Sequence, residues 1–340
     1  MPSQENRYRY LRPQALEYLA KGTLFTECER QPTRFAYADA ILQVGEQMPE
    51  VVVLNADVSM PMGTNRFAQR FPERTFSFGI AEQNMMAAAA GMATTGLIPF
   101  ASTYAVFATM RALDQVRNSI CYPCLNVKIA ASHGGITPAP DGVSHQAQED
   151  LSIMRALANM TVIAAADSPT TIKAVHAAAR RVGPVYLSFT RDPVPHLFTD
   201  DYPFAIGHAV VVRLGEDATI VANRDMVAQA LIAAEALARE GRDVRVIDCH
   251  TVKPLDEATI LQAARETEAI VTAESNVYFG GLGSAVAEVL VENEPVPMKR
   301  IGVRDTFAES CPYLCLLDKY GLSAEHIVDA VREVIGRKIK

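Results

Sequence analysis

The sequence predicts an α/β protein of two domains, each built on a parallel or mixed sheet covered by helices. Three observations carry that expectation. From Arg34 onward, short apolar runs alternate with longer segments of helical periodicity, the signature of a parallel sheet with both faces covered. The rhythm breaks over Arg191–Ile206, where Pro193, Pro195, Pro203 and Asp200-Asp201 gather, and then resumes. A chain of 340 residues is long enough for two cores.

Residues 1–33 precede the alternation and read as an arm. Tyr8, Tyr10, Leu11, Leu16, Tyr18 and Leu19 give it apolar weight but no pairing segment of its own, so docking on another surface is expected. Within 34–195 the helices are expected over Ala36–Met48, Glu82–Thr95, Tyr104–Ser119, Ala147–Leu157 and Ser168–Arg181. The strands are expected at Val51–Asn55, Gly96–Ala101, Asn126–Ala131, Thr161–Ala165 and Pro184–Phe189. Residues 196–206 are the expected linker and 207–340 the second domain. Its strands fall near His208–Arg213, Ala218–Ala222, Asp243–Asp248, Ala269–Ala273 and Lys299–Val303. Its helices fall near Met226–Glu240, Asp256–Glu266, Gly283–Val291 and Ser323–Gly336.

Composition narrows the function classes. A net charge of −7 without a long basic block argues against nucleic acid as the main partner. No apolar run approaches the roughly 20 residues that span a bilayer. The polar N-terminus lacks a signal-peptide core, so a cytoplasmic location is expected. The six cysteines include Cys121-Tyr-Pro-Cys124, but no second such pair completes a zinc site. Buried, reduced, structural thiols are the expectation.

Three segments could carry chemistry. Glu82 opens an otherwise small and apolar helix, Glu82-Gln-Asn-Met-Met-Ala-Ala-Ala-Ala-Gly91. A carboxylate there is either a helix-dipole partner or a functional acid, and spacing alone leaves both readings open. The Gly/Pro-rich loop Ser132–Gln146 holds His133, Asp141 and His145 after an expected strand. Ligands bind at the carboxyl edge of open parallel sheets, which favours function for this loop. Tyr104 and Phe107 stand one helical turn apart, a spacing more common in cores than in cofactor platforms. Gly280-Gly281-Leu-Gly283 resembles a phosphate loop weakly and reads as a tight turn.

Taken in order, Phe78-Gly-Ile-Ala-Glu-Gln-Asn-Met85, Ser102-Thr-Tyr-Ala-Val-Phe107, the His133/Asp141/His145 loop and Ser188-Phe-Thr-Arg191 resemble the pyrimidine-binding domain of transketolases. Residues 207–340 resemble the C-terminal domain of the same family, so the resemblance covers roughly 34–340. It implies that Glu82 hydrogen-bonds the aminopyrimidine of thiamine diphosphate and promotes its activation, the carbanion chemistry being the cofactor's own. It implies that Phe107, with Tyr104 and Ile80, contacts the pyrimidine. His145 would contact sugar hydroxyls and move protons, and Asp141 would bind a substrate hydroxyl. His133, Arg34 and Arg191 would line the far end, where an arginine fork suits a phosphate.

Two departures stand out. Related proteins carry a phosphate-binding serine where Pro61 stands in Ala56-Asp57-Val-Ser-Met-Pro61, although Ser59 is near. Proline has no donor, which leaves room for a sulfonated or branched sugar. The family holds the cofactor's diphosphate through Mg²⁺ or Ca²⁺ on a Gly-Asp-Gly motif in a preceding domain, and this sequence has no Gly-Asp-Gly. The resemblance therefore implies a separate N-terminal subunit, an α2β2 heterotetramer, and inactivity of this chain alone. The arm is expected to dock on that partner. Alternatives in view are a 1-deoxyxylulose-5-phosphate synthase, a 2-oxoacid dehydrogenase β subunit, and a non-catalytic regulatory homologue.

Overall fold

The computed structural model describes residues 7–338. It contains a seven-stranded and a five-stranded sheet, joined by the segment that the prolines mark. In the larger sheet the spatial order is Thr251–Lys253, Thr161–Ile163, Val185–Phe189, Lys128–Ser132, Ile98–Tyr104, Val51–Asn55, Thr75–Ser77. All neighbours run parallel except Thr251–Lys253, which is antiparallel at one edge. Central strands such as Val51–Asn55 and Lys128–Ser132 are buried along their whole length. Apolar cores fill both faces, one beneath Glu82–Thr94 and the other beneath Thr33–Gln47 and Ser168–Arg180.

The smaller sheet runs Met298–Val303, Ile270–Val277, Ala218–Ala222, Val244–Asp248, Val210–Arg213, with only the last strand antiparallel. Its helices Met226–Arg239, Glu257–Thr267, Leu282–Asn293 and Ala324–Gly336 cover both faces.

Four differences from the sequence expectation have physical causes. The arm has a partner within its own chain. Its helix Pro13–Lys21 buries Ala15 and Leu19, and with Leu11, Leu24 and Phe25 it completes the core of the second domain. Arg30–Gln31 pairs antiparallel with Val194–Pro195, tying the arm to the last residues before the linker. Second, the short strand Thr75–Ser77 between Pro72 and Gly79 is an edge element that no periodicity announces. Third, the segment after Tyr104 is not a regular helix. It is still strand through Tyr104 and then forms π-helical turns at Phe107–Arg111 and Gln115–Cys121. The wider turn shows in Ala112 N–H donating to the Phe107 carbonyl at 3.1 Å, five residues back. Fourth, Thr251–Lys253 leaves the second domain and adds to the first domain's sheet.

All six cysteines are free, but only Cys28, Cys121 and Cys249 are buried; Cys124 and Cys315 are exposed and Cys311 intermediate. Among the described residues no helix is long and apolar enough to cross a membrane.

Candidate functional site

The parallel strands of the larger sheet deliver the candidate residues to one edge. Arg191 follows strand Val185–Phe189, His133 follows Lys128–Ser132, and Tyr104 ends Ile98–Tyr104. Asp57 follows Val51–Asn55, and Glu82 follows Thr75–Ser77 after a bend. Carboxyl ends of parallel strands are where open α/β sheets bind ligands.

Glu82 is the first residue of helix Glu82–Thr94, with no side-chain cap ahead of it. Gly79 supplies the left-handed turn into the bend, with φ +65°. The Glu82 side chain is 2 % exposed and accepts one charged hydrogen bond, from Arg111 Nη1 at 2.9 Å. A buried carboxylate needs a partner, and Arg111, four residues past Phe107, provides it. The same guanidinium lies 4.2 Å from the Phe107 ring centroid. Ile80, on the bend, is 76 % exposed. The helix buries Met85, Met86, Ala89 and Ala90, whereas Gln83, Ala87 and Gly91 face outward. The small residues that suggested close packing around this turn therefore leave an open, smooth face.

Aromatic rings gather around Phe107, the ring that Arg111 links to Glu82. Tyr104 and Phe107 are 6.0 Å apart, and the His145 ring meets both edge-on at 5.7 and 5.8 Å. His133 lies 4.0 Å from Tyr104. Both aromatics are half-buried, so their spacing serves this cluster and not only a core. His145 Nδ1 shares a hydrogen bond with Ser144 at 3.0 Å, and His133 Nδ1 shares one with Ser132 at 3.0 Å. Burial, then the charges of Arg34, Arg191 and His145, pushes the His133 pKa down to about 2. His133 is therefore a neutral imidazole, and its 3.6 Å approach to Asp141 is a polar contact, not an ion pair.

Asp141 closes the far end. It accepts two hydrogen bonds from Arg191, from Nε at 3.2 Å and Nη2 at 3.1 Å. Arg34 stands beside Arg191 because their neighbours are locked together. Thr33 N–H donates to Thr190 Oγ1 at 3.0 Å, and Thr190 N–H donates to Thr33 Oγ1 at 2.8 Å. Burial and the positive charge of Arg191 lower the Arg34 pKa, and its buried Nε has no hydrogen-bond partner. Arg191 is already satisfied by Asp141 and, through Nη1 at 2.9 Å, by Asp192, so of the two it is Arg34 whose donor remains available to an anion. Pro61 lies in the short helix Ser59–Met62, which begins at Ser59 at the same sheet edge.

The second domain holds the histidine loop from beneath. Arg224 is fully buried and donates to Ser188 Oγ at 2.7 Å, Ser275 Oγ at 2.8 Å and Asn276 Oδ1 at 2.6 Å. Asp150 and Asp225 supply its countercharge. A Cβ on Gly134 or Gly135 would collide with this guanidinium, so the residues after His133 are glycine for close approach. Sequence reasoning missed Arg224, whose partners are remote in sequence. It also missed Arg111, which its spacing of four from Phe107 could have revealed.

The turn Gly280–Gly283 is not a phosphate site. The N–H groups of Leu282 and Gly283 already donate to Glu274 Oε2 and Oε1 at 2.9 and 2.8 Å. The carboxyl of Glu274, its pKa raised to about 7 by burial, serves there as the acceptor at the helix terminus. Among the described residues no group of three or more His, Cys, Asp or Glu is arranged to hold a metal ion.

The model of the transketolase pyrimidine binding domain matches residues 29–196, and that of the transketolase C-terminal domain matches 207–327. The 6-deoxy-6-sulfo-D-fructose transketolase subunit SqwH of Clostridium sp. (strain MSTE9) is 43 % identical over 305 residues, 90 % of this chain and 95 % of that one. A solved structure described as a split gene transketolase, inactive beta4 tetramer, superposes with a TM-score of 0.86 at 50 % identity, covering 91 % of this chain and 99 % of that one. The 1-deoxy-D-xylulose-5-phosphate synthase of Syntrophus aciditrophicus (strain SB) is 35 % identical over 303 residues, 88 % of this chain but 46 % of that protein.

Proposed function

The chain belongs to the transketolase family as a homologue of split-transketolase C-terminal subunits, and from that premise we propose that it is the glutamate-bearing half of a two-subunit, thiamine-diphosphate-dependent ketol transferase. The observation that carries the reading is Glu82, a buried carboxylate at a helix start, linked through Arg111 to the Phe107 ring of an aromatic and histidine cluster. Thiamine diphosphate, when bound, supplies the carbanion chemistry that breaks the ketose C2–C3 bond and carries two carbons to an aldose.

This chain's residues prepare that chemistry. Glu82 holds an aminopyrimidine nitrogen, and Phe107, Tyr104 and Ile80 pack the ring. His145, at the aromatic edge, takes the proton of the sugar C3 hydroxyl. Asp141 accepts from a sugar hydroxyl, and neutral His133 donates or accepts without charge. Arg34 and Arg191 bind the anionic tail of the sugar. Phosphate and sulfonate both match two guanidiniums, and the sulfo-sugar name of one relative together with Pro61 favours testing a sulfonated ketose.

The diphosphate and its Mg²⁺ or Ca²⁺ fall to a separate N-terminal subunit, in an α2β2 arrangement, in the cytoplasm. The outward face of Gln83, Ala87 and Gly91 supports that docking. So do the exposed apolar side chains Met60, Ile80, Met110 and Val143, which belong to the loops and turns at the site edge. The arm's helix Pro13–Lys21 packs on the chain's own second domain, and the sheet edge offers the partner a further surface. The relative described as a split gene transketolase, inactive beta4 tetramer, supports a requirement for a second kind of subunit.

The test is reconstitution with the N-terminal subunit, thiamine diphosphate and Mg²⁺. The pair should transfer two carbons from a ketose phosphate or 6-sulfo ketose to an aldose. A pair that binds the cofactor but consumes only pyruvate or another 2-oxoacid would move the assignment to the synthase or dehydrogenase alternatives. A pair that binds it and turns over nothing would favour the regulatory homologue.

A further inference from the structure

Among the described residues Arg111 is the one charged partner of the Glu82 side chain, and it fits its surroundings in a specific way. Its planar guanidinium donates to Glu82 Oε2 at 2.9 Å and lies against the Phe107 ring at 4.2 Å from the centroid. A planar ring nitrogen base placed between Glu82 and Phe107 needs the same two things, a hydrogen bond to the carboxylate and an aromatic face. We propose that Arg111 is a positioning residue that stands in for the aminopyrimidine in the unliganded chain. It keeps Glu82 partnered and the Phe107 ring covered, then yields both to the incoming cofactor. The inference rests on the cofactor reading above.

Three features make the exchange feasible. Glu82 is 2 % exposed whereas Arg111 is 45 % exposed, so the carboxylate stays while the guanidinium has a short path into water. The guanidinium regains water on leaving, and the incoming ring takes over the hydrogen bond to Glu82, so the buried carboxylate is not left unpaired during the exchange. Phe107–Arg111 is a π-helical turn, a form frequent where a helix serves a site and less regular in its hydrogen bonding. Without Arg111 a buried carboxylate would wait unpaired, so the residue protects the empty site and competes with its ligand.

The experiment is calorimetric titration of thiamine diphosphate with Mg²⁺ into the reconstituted pair, for wild type, Arg111→Met and Arg111→Lys. Arg111→Met removes the competitor and should bind the cofactor on the order of three- to tenfold more tightly, the size of one half-exposed ion pair with its ring contact. Arg111→Lys keeps the charge but not the planar fork and should fall between. Thermal melting of each variant without cofactor establishes that it is folded; should Arg111→Met fail to fold, Arg111→Lys against wild type decides alone. Equal or weaker binding by a folded Arg111→Met would overturn the proposal and make Arg111 a lasting cofactor contact, leaving the cofactor reading intact. No binding by the wild-type pair would overturn that reading and this proposal with it.

Discussion

Glu82→Gln separates chemistry from structure more cleanly than any other change. Glutamine keeps the size of the side chain and an acceptor for Arg111, but it loses the charge and the ability to exchange a proton with a ring nitrogen. The structural loss is small. Arg111 is 45 % exposed and re-enters solvent, so the ion pair at 2.9 Å is worth about 1 kcal/mol or less after screening. The chemical loss is large. Removing a positioned acid–base group lowers turnover by about two to four orders of magnitude, or roughly 2.7–5.5 kcal/mol at about 1.36 kcal/mol per decade. The variant should therefore melt within a few degrees of wild type while kcat falls at least about a hundredfold. The assay is ketol transfer by the pair with the N-terminal subunit, cofactor and Mg²⁺ saturating, beside a denaturation curve for the isolated chain. A kcat within about threefold of wild type would remove Glu82 from the mechanism, whatever the melting curve showed.

Three further outcomes follow from the same geometry. Asp141→Ala removes the carboxylate that orients Arg191 and faces His133; kcat/KM for the ketose should fall about 10- to 100-fold, the range for one charged hydrogen bond, and an unchanged value would exclude a substrate contact. Leu19→Ala opens a cavity where the arm meets the second domain's core and should lower unfolding free energy by about 2–5 kcal/mol in urea titration; no change would mean the arm does not stay docked. Asp248 is buried with its Oδ1 unpartnered, and burial pushes its pKa up to about 8 from an ordinary 3.8. Its folded form binds the proton more tightly than the unfolded chain, so its contribution is whole below about pH 4 and is lost as pH rises through about 8. Asp248→Asn, which mimics the protonated acid, should raise the melting temperature near pH 8.5 and leave it unchanged near pH 4; a uniform shift would show that the carboxyl does not titrate there.

Much of the fold was legible because its signals are local. The run Val51–Asn55 is apolar throughout and is a fully buried strand. The switch from the Phe78-Gly-Ile turn to alanine-rich helix located Glu82 at the helix start. What was not legible depends on contacts distant in sequence. Thr251–Lys253 is too short to announce that it pairs with Thr161–Ile163. The arm's apolar residues look unpartnered until Tyr8 meets Glu235 and Leu11 meets Phe198. The π turns after Tyr104 keep ordinary helical composition, and hydrogen bonds five residues back, from Ala112 to Phe107 and from Tyr122 to Arg117, give them away.

The site divides the same way. Residues that follow a strand or begin a helix, such as His133 and Glu82, could be placed from the alternation, whereas Tyr104, expected at a helix start, ends a strand. Arg34 and Arg191 could be named only through resemblance. Their adjacency is made by the reciprocal bonds of Thr33 and Thr190, which lie 157 positions apart. Arg224, which shapes the histidine loop from the other domain, left no trace in the local sequence.

The most direct test of the central claim is ketol transfer measured with this chain alone and then with its N-terminal subunit added, both with thiamine diphosphate and Mg²⁺. The chain alone should show no turnover, and turnover should rise with added subunit until the two are equimolar. Turnover by the purified chain alone would contradict that claim.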